Sequence, residues 1–201
     1  MEIESLNVIP LGGVEEIGLN MTVYQYGHEI MVVDAGLMFP EEDMLGVDFV
    51  VPDMSYLFEN REKVKGVVLT HGHEDHTGAL PFLLRELKVP VYGTALTLAL
   101  VKEKLKEYGL TDAELIPVKP RDVVELGGAF TVEFIRVTHS IVDGVGLGIR
   151  TPLGSIVHTG DFKLDPTPVD GELMDFHKFS EYGERGTLLL LSDSTNAEKG
   201  G

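Results

Sequence analysis

A nearly all-apolar run, Val64–Thr70 (VKGVVLT), leads without a break into His71-Gly-His73-Glu-Asp75-His76. A short apolar run of this kind reads as a strand buried on both faces. Three imidazoles and a carboxylate therefore leave the carboxyl end of a buried strand, the edge at which open α/β sheets bind ligands. Imidazole and carboxylate together suit zinc or manganese, and donors this close in sequence need little chain entropy to assemble. In an extended loop, residues two apart project to the same side. His71 and His73 can thus grip one ion, while Asp75 and His76, further along, reach a second. A merely polar, histidine-rich loop is the plain alternative, and four such side chains in six positions weigh against it.

The surrounding pattern is α/β. Leu6–Leu11, Met21–Tyr26 and Glu29–Asp34 are rich in β-formers, with Gly27-His28 as a hairpin turn. The loop Gly12–Asn20 contains three glycines and reads either as a phosphate cradle or as a plain strand connection. After the histidine motif, Leu80, Leu83, Leu84 and Leu87 mark one helix, with Pro81 in its first turn. A second helix is predicted over about Thr94–Tyr108, closing at Gly109, with the lysines and glutamates of 102–107 as its solvated face. Strand patterns return at Leu115–Val118, Phe130–Val137, Gly146–Arg150, Ser155–Thr159 and Thr187–Leu191. Pro166-Thr-Pro168 marks a candidate boundary, and Asp170–Arg185 reads as a polar connection. Strands, helices, then strands again imply two sheets with helices outside them.

Composition sets the remaining bounds. The 201 residues suffice for one packed domain, or one domain and the start of another. Apolar content of 43% and a mean hydropathy of +0.09 belong to an ordinary soluble globular chain. No apolar stretch approaches the roughly 20 residues that span a bilayer. The start, MEIESLN, has early acids and no apolar run, so no secretory leader is expected. The absence of cysteine excludes disulfides and thiolate ligands and fits a cytoplasmic location. The formal charge of −17 repels nucleic acid and membrane surfaces at long range. Two divalent ions would add about four positive charges where a phosphate must sit, so a polyanionic substrate stays compatible. Much of its binding groove must then lie elsewhere, and most of the acids serve solubility.

Two more elements join the histidine motif. His139 follows Phe130–Val137, and Asp161 follows Ser155–Thr159 within His158-Thr-Gly-Asp161. Asp34 at a strand end, His-x-His-x-Asp-His, a lone histidine and an aspartate after Thr-Gly together resemble the metallo-β-lactamase superfamily. The segments LGGVEEIGLN, VVDAGLMFPEEDMLGVDFVVPD, LTHGHEDHTGALPFLL, HTGDFKLD and LLLLSDSTNAEKGG resemble the ribonuclease J family. That family belongs to the β-CASP branch of the superfamily, which acts on nucleic acids. The resemblance covers about Leu6 to the last residue, and the run GLMFPEEDMLGVDFVVPD discriminates most.

The resemblance implies an αββα sandwich, incomplete. Residues 1–168 would be the amino-terminal part of a lactamase-type domain. Residues 169–201 would be a connection and the first strand of a truncated β-CASP domain. It implies two divalent ions, zinc or manganese. The first would be held by His71, His73 and His139, the second by Asp75 and His76, with Asp161 bridging. Asp34 would orient the ligand loop, against the alternative of an acid capping a turn before Gly36. His158 would support Asp161's loop or serve as a core histidine. The implied reaction is hydrolysis of RNA phosphodiester bonds by a metal-activated hydroxide, with Asp75 placed to accept a proton. Asp193, in the SDSTN segment, matches an acid that protonates the leaving oxygen with a histidine not present in this chain.

Relatives of this type run to several hundred residues, so the resemblance further implies a first metal site nearly complete and a second one weakened. It also implies 5′-to-3′ exonucleolytic and endonucleolytic action, and a homo-oligomer, in the full-length protein. His28 is expected in an exposed turn, and His177 in the polar connection. The alternatives are a lactam, thioester or glyoxalase-type hydrolase on the same scaffold, or an inactive metal-stabilised fragment that associates through an exposed sheet edge.

Overall fold

The computed structural model describes residues 5–42 and 44–199. Two sheets stack face to face. The first has six strands in sequential order: β1 (Leu6–Gly12), β2 (Met21–Tyr26), β3 (Glu29–Val33), β4 (Val64–Val68), β5 (Val91–Gly93) and β6 (Leu115–Pro117). β1 to β3 pair antiparallel through hairpins, and β3 to β6 run parallel with helical crossovers. These crossovers contain α1 (Ser55–Glu59), α2 (Glu74–Thr77), α3 (Leu80–Glu86) and α4 (Ala95–Glu107). The second sheet holds β7 (Val123–Leu126), β8 (Phe130–Arg136), β9 (Val145–Thr151), β10 (Gly154–His158) and β11 (Thr187–Leu191), ordered β11-β10-β9-β8-β7. Before β11 lies α5 (Phe176–Arg185).

Strand alternation builds the layers. In β3, Ile30 and Val32 join Leu57, Leu80, Leu83 and Val101 of the helices on the outer face of the first sheet. Their neighbours Met31 and Val33 turn the other way, onto Val132, Phe134, Leu147 and Ile156 of the second sheet. On the far side of the second sheet, Ile135 and Val157 meet Tyr182 and Phe179 of α5. Because side chains alternate faces along a strand, one sequence feeds three apolar interfaces, and the result is the expected four-layer αββα sandwich. Among the described residues no helix is long and apolar enough to cross a membrane.

The expected strands and helices form within a residue or two of their predicted bounds. Three things differ. The short strands β5 and β7 and the short helices α1 and α2 were not foreseen. Lys104 turns from the solvated face of α4 to pair with Glu74 of α2. Most of all, the segment expected as a polar connection, Asp170–Arg185, contains α5, and β11 pairs parallel to β10 within the second sheet. So residues 176–191 pack on the sandwich itself. Phe176, Phe179 and Tyr182 recur at i, i+3 and i+6, so α5 does carry a helical period, which the polar residues between them mask in composition. The discriminating run Gly36–Asp53 is largely an exposed loop closed by a bridge between Met38 and Val50, with Phe39 and Phe49 side by side. Within it Asp43 lies outside the described residues, as do the last two glycines.

Asp175 caps α5: its carboxylate accepts from Lys178 N–H at 3.3 Å and from Arg121 Nε at 2.8 Å. The Arg121 bond holds this carboxyl below its ordinary value. A lowered carboxyl stabilises fully above its unfolded value of about 4, and that contribution disappears as pH falls through the folded value. Asp175→Ala should therefore cost about 1 kcal/mol near neutral pH. In thermal unfolding, the two proteins should converge as the pH drops below about 4; a constant gap across that range would remove the capping account.

Candidate metal centre

β4 delivers Thr70 and His71 to the carboxyl edge of the first sheet. The chain stays extended only to His73 (φ −69°, ψ 154°), then turns into the single helical turn α2. Thr77 closes that turn, its N–H and hydroxyl both donating to His73 O at 3.0 and 2.9 Å. The turn folds His76 back under His71, with ring centroids 4.1 Å apart. A fully extended loop, as the sequence predicts, would have carried it away.

His71, His73 and His139 form one cluster and His71, His76 and Asp161 a second, the donor atoms of each lying within 4.8 Å of one another. His71 Nε2 is 3.1 Å from His73 Nδ1, and the His139 ring is 5.0 Å from both others. Asp161 faces both clusters: Oδ1 lies 3.3 Å from His76 Nε2 and Oδ2 3.7 Å from His139 Nε2. Asp75 Oδ2 is 3.7 Å from His76 Nε2. Tetrahedral zinc with bonds of about 2.0–2.1 Å places its donors roughly 3.3 Å apart. Imidazole nitrogens and carboxylate oxygens at this spacing fit a divalent ion. Burial and the neighbouring His76 push the His71 imidazole well below its ordinary pKa, so it offers a lone pair rather than a charge.

One buried carboxylate orients this group. Asp34 sits just past β3 with φ 61°, a conformation Asp tolerates. Its Oδ1 accepts from Thr70 N–H at 2.8 Å, and its Oδ2 accepts from Thr70 Oγ and His76 Nδ1, each at 2.8 Å. Thr70 Oγ, its proton committed to Asp34, lies 3.0 Å from His71 Nδ1 and accepts from it. Both imidazoles are thereby held with Nδ1 protonated and Nε2 turned toward the cluster. Asp34 thus contacts His76 directly and His71 through Thr70, and the hub residue Thr70 was not foreseen. Burial alone would depress His76, but Asp34 and Asp161 on either side prevail and raise it to about 10. Against its own burial, Asp161 is held low chiefly by the bond to His76. Between these two carboxylates the site presents a place made for positive charge.

Asn20, at the end of the glycine loop, was also missed. Its Nδ2 lies 3.1 Å from both Asp75 O and His76 Nε2. The loop itself connects β1 to β2 and borders a cavity of about 600 Å³ that is also lined by Asp75, His76, Asp161, His158 and Asp193. His158 Nδ1 accepts from Gly160 N–H at 3.2 Å and so braces the positive-φ turn that presents Asp161. Asp193 N–H donates to Thr159 Oγ at 3.0 Å, and its Oδ1 accepts from Thr195 N–H and Oγ at 2.8 and 2.7 Å. His28 is exposed in the β2–β3 turn. His177 is exposed on α5, 3.0 Å from Glu181, and takes no part in either cluster.

Comparison with known proteins agrees with this geometry. Ribonuclease J of Synechocystis sp. is 55% identical over 197 residues, covering 97% of this chain and 31% of that protein. Ribonuclease J of Thermus thermophilus is 52% identical over 205 residues, covering 98% of this chain and 36% of that protein. The chain thus spans about a third of the length of these curated relatives. Among solved structures, a protein of unknown function from Enterococcus faecalis V583 shares the fold with a TM-score of 0.70 at 21% identity, covering 99% of this chain and 52% of that one. The family model of the metallo-β-lactamase superfamily matches residues 16–196. With the αββα layers and the histidine–aspartate cluster at their edge, the match leaves one assignment: the chain belongs to the metallo-β-lactamase superfamily.

Proposed function

We propose that this chain carries the dinuclear metal centre of a ribonuclease that hydrolyses RNA phosphodiester bonds. The observation that carries the reading is the pair of donor clusters sharing His71, with Asp161 turned toward both, at the wall of an open cavity. His71, His73, His139 and Asp161 would hold one ion, and Asp75, His76 and Asp161 the other, with zinc favoured over manganese by the three imidazoles. When bound, divalent ions supply Lewis-acid activation of water and offset charge at the phosphoryl group.

The protein's own groups do the rest. Asp34 and Thr70 fix which imidazole nitrogens of His71 and His76 face the ions. Asp75, a third exposed and on the cavity wall, accepts the proton of the attacking water. Asp193, across the same cavity, would act with a histidine outside this chain in delivering a proton to the departing ribose oxygen. His158 supports the Asp161 turn. The substrate class rests on the relatives named ribonuclease J; exonucleolytic action from the 5′ end, endonucleolytic action, a cytoplasmic setting and a β-CASP domain entered beyond β11 rest on the resemblance of the sequence segments alone. The exposed leucines 188–190 on edge strand β11 favour a homo-oligomer.

RNA and a chromogenic lactam, assayed side by side with the full-length protein, test this reading. RNA should be cut and the lactam spared. A chelator, or His73→Ala, should lower RNA cleavage by at least about 10³-fold if the ions supply the activated water. Lactam turnover without RNA cleavage would overturn the reading.

A further inference from the structure

His139 and Asp161 face each other at 3.7 Å, yet they leave the ends of strands that do not pair, because β9 lies between β8 and β10. Sheet register therefore does not fix one loop against the other. A direct clasp does. Thr138 Oγ donates to the carbonyl of Lys163 at 2.5 Å, and Lys163 N–H donates back to the carbonyl of Thr138 at 2.7 Å. Thr138 immediately precedes His139, and Lys163 stands two residues beyond Asp161. The threonine is 5% exposed, so its hydroxyl meets little competition from water.

The other ties of the His139 loop run elsewhere. Asp143 accepts from Leu96 N–H at 3.3 Å and Thr94 Oγ at 2.9 Å, which fastens the loop's far end to the start of α4. Val137 N–H bonds Gly144 O at 3.1 Å and closes the loop upon itself. Beyond Lys163, Asp175 N–H reaches Arg136 O at 3.0 Å, fourteen residues past Asp161 and too far along the chain to set its carboxylate. Among the described residues, the Thr138–Lys163 clasp alone gives hydrogen bonds between the two loops within two residues of both carboxylate and imidazole.

We propose that Thr138 is a positioning residue whose hydroxyl holds the His139 loop against the Asp161 loop and so sets the affinity of the cluster for a divalent ion. This rests on the reading of His139 and Asp161 as ligands. Valine has the shape of threonine without the donor, and serine keeps the donor. The test is calorimetric titration with zinc alone, on the unsubstituted protein, Thr138→Val and Thr138→Ser. The valine variant should bind zinc about 10–100-fold more weakly, as when a group supporting a ligand is removed. The serine variant should stay close to the unsubstituted protein.

The same valine change in a His139→Ala background should add little further loss, since the ligand it positions is already gone. A folded valine variant with undiminished zinc affinity overturns the proposal, and so does an equal loss with and without His139. If the valine variant does not fold, Thr138→Ala removes the same donor with a smaller side chain and carries the same expectation. Should the unsubstituted protein itself bind no zinc, the ligand reading fails rather than the clasp.

Discussion

Gly36→Ala should cost the protein about 3 kcal/mol or more and abolish tight zinc binding, although residue 36 touches no proposed ligand side chain. An added Cβ would stand 1.6 Å from the carbonyl oxygen of Asp75 and 2.8 Å from Asn20 N. Those atoms are backbone and cannot rotate aside as a side chain would. The segment around Gly36 lies directly on the ligand turn: Ala35 N–H bonds His76 O at 2.8 Å, Leu37 N–H bonds Glu74 O at 3.1 Å, and Gly36 N–H bonds Asn20 O at 2.9 Å. Making room for one methyl therefore pulls α2, and with it Asp75 and His76, away from Asp34 and Asp161. For a chain of this size the loss corresponds to a fall of roughly 6–12 °C in Tm. Gly183→Ala is the matched control. Nothing lies within 4 Å of its added Cβ, and it sits within α5. It should raise stability by about 0.5–1 kcal/mol and leave zinc binding unchanged. A Gly36→Ala protein that melts and binds zinc like its parent would mean that the ligand turn does not depend on this contact.

Asp34→Asn should lower zinc affinity about 10–100-fold and destabilise the apoprotein by about 1–3 kcal/mol. Three donors converge on the Asp34 carboxylate, from Thr70 N–H, Thr70 Oγ and His76 Nδ1. An amide offers one oxygen and one NH₂, so at least one buried donor would face another donor. The hydroxyl of Thr70 would lose its anchor, and His71 and His76 would lose the contacts that hold Nδ1 protonated and turn Nε2 to the cluster. Asparagine is an apt replacement because it caps turns and enters the left-handed region as readily as aspartate. If residue 34 merely closed a turn before Gly36, the substitution would be silent in a zinc titration. That outcome would reject the orienting role and favour turn capping.

Much of the site can be read from local sequence because its parts hang on apolar strands. Val64–Thr70 feeds His71, Phe130–Val137 feeds His139, and Ser155–Thr159 feeds Asp161; a buried strand leaves a strong composition signal. The hairpin is legible from Gly27-His28 between two β-rich runs, and helix α4 from Leu98, Val101, Leu105 and Tyr108 on one side. What escapes is whatever depends on contact between distant backbones. The one-turn helix α2 is too short to show a period, yet it decides where His76 points. Asn20 and Gly36 matter through their fit to the carbonyl of Asp75, more than fifty and nearly forty residues away respectively. Thr70 looks like the last residue of a strand, and only the fold shows its hydroxyl shared between Asp34 and His71. Helix α5 has a readable aromatic spacing at Phe176, Phe179 and Tyr182, but that Tyr182 packs on the second sheet follows only from the room left at Gly148.

The most direct test of the whole account is an anomalous difference map, measured at the zinc absorption edge, from crystals of the zinc-loaded protein. The strongest peak should lie among the imidazoles of His71, His73 and His139 next to Asp161, with a second between Asp75, His76 and Asp161. Zinc bound elsewhere, or a map without a peak at this cluster under saturating metal, would contradict it.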